Sequence, residues 1–489
     1  LPPPSAARVE ASDLFVHRLG TNEVLTVGNV AEFGVDDSGR WLAYTVERRD
    51  QVGNGLTLHD LRTNAVRVLD SEKALYRRLA WSDTLPQLAV LRGTVDSAGT
   101  DTSYAVLGFR DLAAAAPRAV TMALAGRTDA PAGMRVSPDR APRWTEQGDG
   151  LLFGLRARRA ASRDSVPDDE RPNLVVWHWQ DPRLQSQQQV QEGADRTFSY
   201  LAAYWPTTNR VVTLSDSTAR QVQMLPRDRW ALATDSRGDE RRASAEGLPK
   251  ADHYVVDPRT GERRLALNGL RNGPVQPSPD GSRLLVYEDG HWHVLDLATL
   301  QRRNVTAGAS VAFWDTEDDH NVDKPANQPI GWAKDGSAVL LTDNWDVWKV
   351  PVAGGAPVNL TRTGRAQRVR YQRRLVLDPR ERFIDLRQPL YLTMYGERTK
   401  QGGFARVDAM RGGATPVVFA DAAVEPRRAR DAEVWVTSRQ TFTEYPDWWR
   451  LENGQPTTRL TEGGKQLDAF RWSSGTRIVD YVTEKGDSL

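Results

Sequence analysis

Trp314-Asp315-Thr316-Glu317-Asp318-Asp319-His320-Asn321 opens a stretch that continues as Pro329-Ile330-Gly331-Trp332-Ala333-Lys334-Asp335-Gly336 and then Ala338-Val339-Leu340-Leu341. After the turn Thr342-Asp343-Asn344 it runs through Trp345-Asp346-Val347-Trp348-Lys349-Val350 and Gly354-Gly355 to Val358-Asn359-Leu360-Thr361. Short β-prone runs of about 4–8 residues alternate with Asp-Gly, Asp-Asn and Gly-Gly turns, which is the signature of a small antiparallel sheet. Nothing in it has the period of a long amphipathic helix.

The same order of turn, strand, loop and strand recurs along the chain, so internal repetition decides the fold. A first unit starts at Phe33-Gly34-Val35-Asp36-Asp37-Ser38-Gly39-Arg40-Trp41 and passes Leu58-His59-Asp60-Leu61 to Val66–Leu69. A second runs from Leu79-Ala80-Trp81 to Leu112. A third takes Pro142–Thr145, Leu151–Leu155 and the run Asn173–Trp179, and ends in the polar, exposed stretch Gln185–Gln191. A fourth, fainter unit takes Tyr200–Trp205, Val211–Leu214, Trp230–Leu232 and His253–Asp257. A fifth spans Pro277–Leu297, the opening stretch is the sixth, Val376–Phe419 is the seventh and Glu433–Thr461 the eighth.

A four-stranded sheet cannot bury both faces alone, whereas sheets stacked radially cover one another. The expectation is therefore an all-β chain, a β-propeller of four-stranded blades with eight favoured and seven the alternative. Residues 1–24 read as a lead-in and 25–475 as the propeller. The polar segments 113–135, 157–172 and 237–250 read as rim insertions, with short helices among them.

At 489 residues the chain exceeds one ordinary domain, in keeping with a repeat architecture. A formal net charge of +1 gives no composition-level case for nucleic acid or an anionic membrane. No window approaches the ~18 apolar residues of a membrane helix. With no cysteine there is neither a disulfide framework nor thiolate chemistry. The start at Leu1-Pro2-Pro3-Pro4 suits a processed N-terminus and a periplasmic or secreted protein.

Each candidate constellation has a plainer reading beside it. No Gly-x-Ser-x-Gly elbow is found; Gly308-Ala309-Ser310-Val311-Ala312 lacks the second glycine, so no catalytic residue is assigned. His291 and His293 share a strand face without the spacing partners of a zinc site and read as structural. Asp315, Glu317 and Asp319 alternate like the first ligands of a calcium loop, but His320 occupies the glycine position and no glutamate closes the loop. They are metal candidates against a default of a solvated loop, and no cofactor is expected. There is no glycine-rich phosphate cradle.

Several pieces together resemble the non-catalytic half of the prolyl oligopeptidase (S9) family of serine peptidases, in a group of large bacterial members. They are Val175-Val176-Trp177-His178-Trp179-Gln180-Asp181-Pro182-Arg183-Leu184-Gln185, the acidic loop Asp315–Asn321, Ile330-Gly331-Trp332, Asp343–Val350, Asn359-Leu360-Thr361, Phe442–Asp447 and Arg459-Leu460-Thr461. Ile478–Leu489 is similar to the strand and turn that lead into the family's α/β-hydrolase domain, so 476–489 reads as the start of that linker. The resemblance implies a gating and substrate-selecting propeller whose partners are a C-terminal α/β-hydrolase domain of the same polypeptide and short peptide substrates. Some relatives hold the substrate's amine with paired glutamates on a propeller insertion; Asp168, Asp169 and Glu170 are the candidates for that role here. The rivals are a free-standing binding scaffold of the TolB type and a propeller glycosidase with its site in the channel.

Overall fold

A computed structural model of the protein describes residues 11–96, 101–158, 170, 174–246, 250–271, 273–321, 323–429, 432–467, 469–473, 475 and 479–488. Its strands form eight antiparallel sheets that follow one another along the chain, six of four strands and two of five. The first spans 12–70, the second 75–122, the third 134–213 and the fourth 221–271. The fifth spans 275–304, the sixth 331–359, the seventh 369–420 and the eighth 423–459. Seven are meanders of sequential neighbours, and in the third Met134–Val136 and Arg143–Trp144 both pair with Leu151–Ala157; the pattern suits a β-propeller of about eight blades. The chain divides into two compact units, Leu1–Asn272 with sheets one to four and Gly273–Leu489 with sheets five to eight.

Turn chemistry sets each meander. In the fifth and sixth sheets the first two strands are joined at Asp280-Gly281 and Asp335-Gly336. Both glycines adopt left-handed φ, +65° and +71°, which a side chain would penalise. Their amides donate to the carbonyls of Ser278 and Ala333. The last two strands are joined at an aspartate whose Oδ1 accepts amides two or three residues on. Asp60, Asp296 and Asp408 repeat this geometry in three sheets.

Within each unit, consecutive sheets pack face to face. Trp41, Leu56 and Leu58 of the first sheet meet Leu88, Val90 and Leu107 of the second. Leu91 and Val106 meet Trp144, Leu151 and Phe153 of the third, whose Leu152, Ala203 and Val212 meet Ala231, Ala233 and Val256 of the fourth. In the other unit, Trp292 and Val294 pack on Val339 and Leu341, Leu340 and Val347 on Tyr371 and Leu392, and Phe404 stacks on Trp435. Covered on both faces, Ala338–Thr342 is buried throughout, hence its unbroken apolar run. Tryptophans mark the joints: the indole N–H groups of Trp81, Trp144 and Trp332 donate to carbonyls of Gly34, Leu88 and Gln276 in the preceding sheet.

A side-chain clasp closes the outer edge of four sheets. Two residues past the fourth strand, a hydroxyl accepts the amide of a residue opening the third strand. Thr361 takes Val347 N at 3.0 Å and Thr461 takes Trp448 N at 2.9 Å. Thr306 takes Trp292 N at 3.0 Å and Ser215 takes Leu201 N at 2.5 Å. In the sixth sheet Thr361 donates to Asp346 Oδ1 at 2.6 Å, which also accepts Gly364 N. Thr461 donates likewise to Asp447, which accepts Gly463 N.

The third and fourth sequence units need correction. Leu174–His178 has no regular structure and is not a strand; the third sheet is completed instead by Tyr200–Trp205 and Arg210–Thr213. The long insertion after Ala157 displaced the partner strand, and an exposed β-branched and aromatic run imitated it. The fourth sheet keeps only the later pieces, in Ala231–Asp235 and Lys250–Val256. Segment 113–135 is no rim insertion throughout, because Arg118–Met122 is the second sheet's outer strand. The seventh sheet opens with Val369–Arg374, ahead of the expected Val376. The segment 237–250 does carry a short helix, Glu240–Glu246, and 185–191 lies in the exposed helix Gln185–Arg196. Ser12–Arg18 pairs with Glu23–Val35, so the first sheet reaches into the stretch read as a lead-in.

Thr361→Val leaves the Val347 amide and Asp346 carboxylate without their hydroxyl partner and is expected to cost about 1–3 kcal/mol in urea unfolding. At the equivalent position, burial alone would raise the Asp447 carboxyl; Arg459, the Thr461 hydroxyl and the Gly463 amide outweigh it and hold its pKa at about 2. That lies below the ordinary 3.8, so its stabilisation is complete above about pH 4 and is lost as pH falls through about 2. Asp447→Asn should therefore show a shallower acid limb than wild type in melts from pH 5 to 2.

Candidate functional site

The acidic loop between the fifth and sixth sheets is held at both ends. The amide of Asp315 donates to the Pro325 carbonyl at 2.7 Å, and Trp314 bridges to Ala326. Asp315 Oδ1 accepts the Glu317 amide at 3.0 Å and Asn344 Nδ2 at 2.7 Å, tying the loop to the turn of the sixth sheet. Glu317 then reaches the seventh sheet. Arg370 donates to Glu317 Oε2 at 2.5 Å and to Glu397 Oε2 at 2.6 Å, with its guanidinium 4.5 Å from the Trp345 ring centre. Burial would lower the Arg370 pKa, but the two carboxylates outweigh it and raise it. Arg370 in turn lowers Glu397.

This arrangement separates the three metal candidates. Asp315 and Glu317 are committed to Asn344 and Arg370, whereas the Asp319 side chain is fully exposed. The groups brought together are Asp318, Asp319 and His320, whose potential ligand atoms lie within 4.8 Å of one another, all exposed. Asp318 Oδ1 accepts the His320 amide and ring Nδ1, each at 2.8 Å, which lowers Asp318 and raises His320. The loop thus presents an anchored negative surface.

Asp168 and Asp169 lie outside the described residues; Glu170 is exposed. His291 meets the Thr306 hydroxyl at 3.3 Å, standing where the sixth and eighth sheets carry the clasp aspartates. His293 is lowered by burial, and its Nδ1 has no partner. Ser310 is exposed, and among the described residues no serine hydroxyl hydrogen-bonds a histidine. Sequence reasoning missed Arg370, which nothing local distinguishes from its neighbours. It also missed the role of Asp346 and Asp447. The signal was there in those two sheets, in an Asp opening the third strand matched to a Leu-Thr after the fourth.

Two apolar stretches stay in solvent. Leu174, Val176 and Trp179 precede the exposed helix Gln185–Arg196. Beyond the eighth sheet, Phe470, Trp472, Val479, Tyr481 and Val482 are exposed, and a turn closed by Thr483 N to the Asp487 carbonyl brings Val482 opposite Ser488. Among the described residues no helix is long and apolar enough to cross a membrane.

No family model matches the chain, and no curated protein matches it. Solved structures similar to it include peptidases of the S9 family that its motifs resemble. Porphyromonas gingivalis dipeptidyl peptidase 4 is 8% identical, with 94% of this chain and 63% of that one covered and a TM-score of 0.44. Pyrococcus horikoshii acylaminoacyl peptidase is 9% identical over 81% of this chain and 53% of that one, with a TM-score of 0.30. TolB from Acinetobacter baumannii is 13% identical over 61% of each chain, with a TM-score of 0.24. The chain thus spans little more than half to about three-fifths of the length of the two peptidases.

Arg370→Ala should release the loop, because it removes the guanidinium that bridges Glu317 and Glu397. Deuterium exchange over residues 315–321 is expected to accelerate several-fold, with the strand Ala338–Thr342 unchanged.

Proposed function

We propose that the chain is the gating, substrate-selecting propeller of a serine peptidase of the prolyl oligopeptidase family. Its partners are an α/β-hydrolase domain of the same polypeptide and short peptides. The observation that carries this reading is the segment 470–488. Phe470, Trp472, Val479, Tyr481 and Val482 lie in water after the last sheet, and exposed apolar surface of this kind marks a surface that packs on something else. The turn closed by Thr483 N on the Asp487 carbonyl lies in the stretch that resembles the family's entry into the hydrolase domain. The motif pieces of the resemblance support it, since Asn359-Leu360-Thr361 and Arg459-Leu460-Thr461 lie at the clasps of the sixth and eighth sheets. In this role the propeller supplies sieving: a narrow entrance passes an extended chain and rejects a packed domain. It supplies no nucleophile.

Fluorogenic dipeptide and prolyl substrates test the proposal on this chain and on the polypeptide extended past Leu489. Hydrolysis by the extended form alone, abolished by a serine-directed phosphonate, is expected. Activity in the 489-residue chain would overturn the proposal, and silence of both forms would favour a binding scaffold.

A further inference from the structure

One cation in the unit of sheets one to four is seated with care and has no acid partner among the described residues. Arg140 follows the first strand of the third sheet, and its stem occupies the space beside Gly154. A Cβ on Gly154 would stand 2.8 Å from Arg140 Cβ and 2.8 Å from Ser199 Cβ. Ser199 and Ser137 are buried and joined hydroxyl to hydroxyl at 2.8 Å, which fixes the floor under Arg140. The guanidinium makes one long bond, 3.3 Å from Nη2 to the Ser199 carbonyl. Asp139, beside it in the chain, is engaged with Arg156 at 2.8 Å, and the acid that meets Arg143, Asp228, lies 3.2 Å from that guanidinium. Burial and the like charge of Arg143 push the Arg140 pKa down, as expected of a cation without a counter-ion.

A second guanidinium meets the same turn. Arg78, on the first strand of the second sheet, donates Nε to the Pro138 carbonyl at 2.8 Å and pairs with no carboxylate among the described residues. Its backbone is left-handed, φ +59°, and is held there by Glu32, which accepts the Arg78 amide at 3.0 Å and the Leu79 amide at 2.7 Å. Such a conformation is disfavoured for a non-glycine residue and persists where the surroundings enforce it. Glu32 therefore aims Arg78 toward the turn that carries Arg140, two residues beyond Pro138.

We propose that Arg140 and Arg78 form a carboxylate-binding subsite for a peptide ligand, receiving its terminal carboxylate. Guanidinium forks match carboxylates with paired, charge-assisted hydrogen bonds, and an incoming anion would supply the missing counter-charge. The proposal rests on the reading that this chain admits peptides, but its readout is binding, so it stands or falls apart from any hydrolytic activity.

The test uses fluorescein-labelled tetra-alanine, as the free acid and as the C-terminal amide, titrated with the 489-residue chain and read by anisotropy. The acid is expected to bind roughly 10-fold or more tightly than the amide. That preference should vanish in Arg140→Gln and shrink in Arg78→Gln, and inorganic phosphate should compete with the acid form. Arg78 is exposed, so its variant keeps the fold. Gly154→Ala, which crowds the Arg140 stem, should also weaken the preference. Equal binding of acid and amide, no binding of either, or a preference that survives Arg78→Gln and Gly154→Ala would overturn the assignment. So would a folded Arg140→Gln that still discriminates.

Discussion

A hydroxyl held between the opening of one strand and the end of the next is the contact on which the repeated sheet depends. The closing strand is short in the fifth and sixth sheets, Arg302–Asn304 and Val358–Asn359, too short to be fixed by its own ladder. Thr361, Thr461, Thr306 and Ser215 compensate by capturing an amide of the third strand just past the ladder's end. Where an aspartate stands behind the hydroxyl, as at Asp346 and Asp447, the clasp reaches on to an amide that opens the following segment. The chain then leaves the sheet in a fixed direction. In the sixth sheet it leads directly to Val369, the first residue of the seventh.

Arginine does in this chain what longer strands do elsewhere. Guanidiniums reach carbonyls or carboxylates of a neighbouring sheet or loop, as Arg77 does with Glu47, Arg67 with the carbonyl of Leu112, and Arg370 with Glu317 and Glu397. Others lie against indoles, as Arg40 does over Trp41 and Arg259 over Trp205. A planar, permanently charged group suits both tasks.

Much of this was legible in the sequence. The Asp-Gly turns, the Asp-Leu strand ends and the alternation of apolar runs placed six of the eight sheets close to where they lie, because those signals are local. The third and fourth went astray for a non-local reason. Leu151–Ala157 pairs with Tyr200–Trp205 across a long insertion, and Val175-Val176-Trp177 has strand composition without a sheet to join. The acidic loop was legible as acidic, but its geometry was not. Glu317 is taken by Arg370, 53 positions away, and no spacing rule announces such a pair.

The most direct measurement is a crystal structure of the polypeptide carried past Leu489. Phe470, Trp472, Tyr481 and Val482 should lose their exposure beneath an α/β domain that continues from the turn at Thr483–Asp487. Finding those side chains still in water, or no second domain following them, would contradict the assignment of this chain as the selecting half of a peptidase.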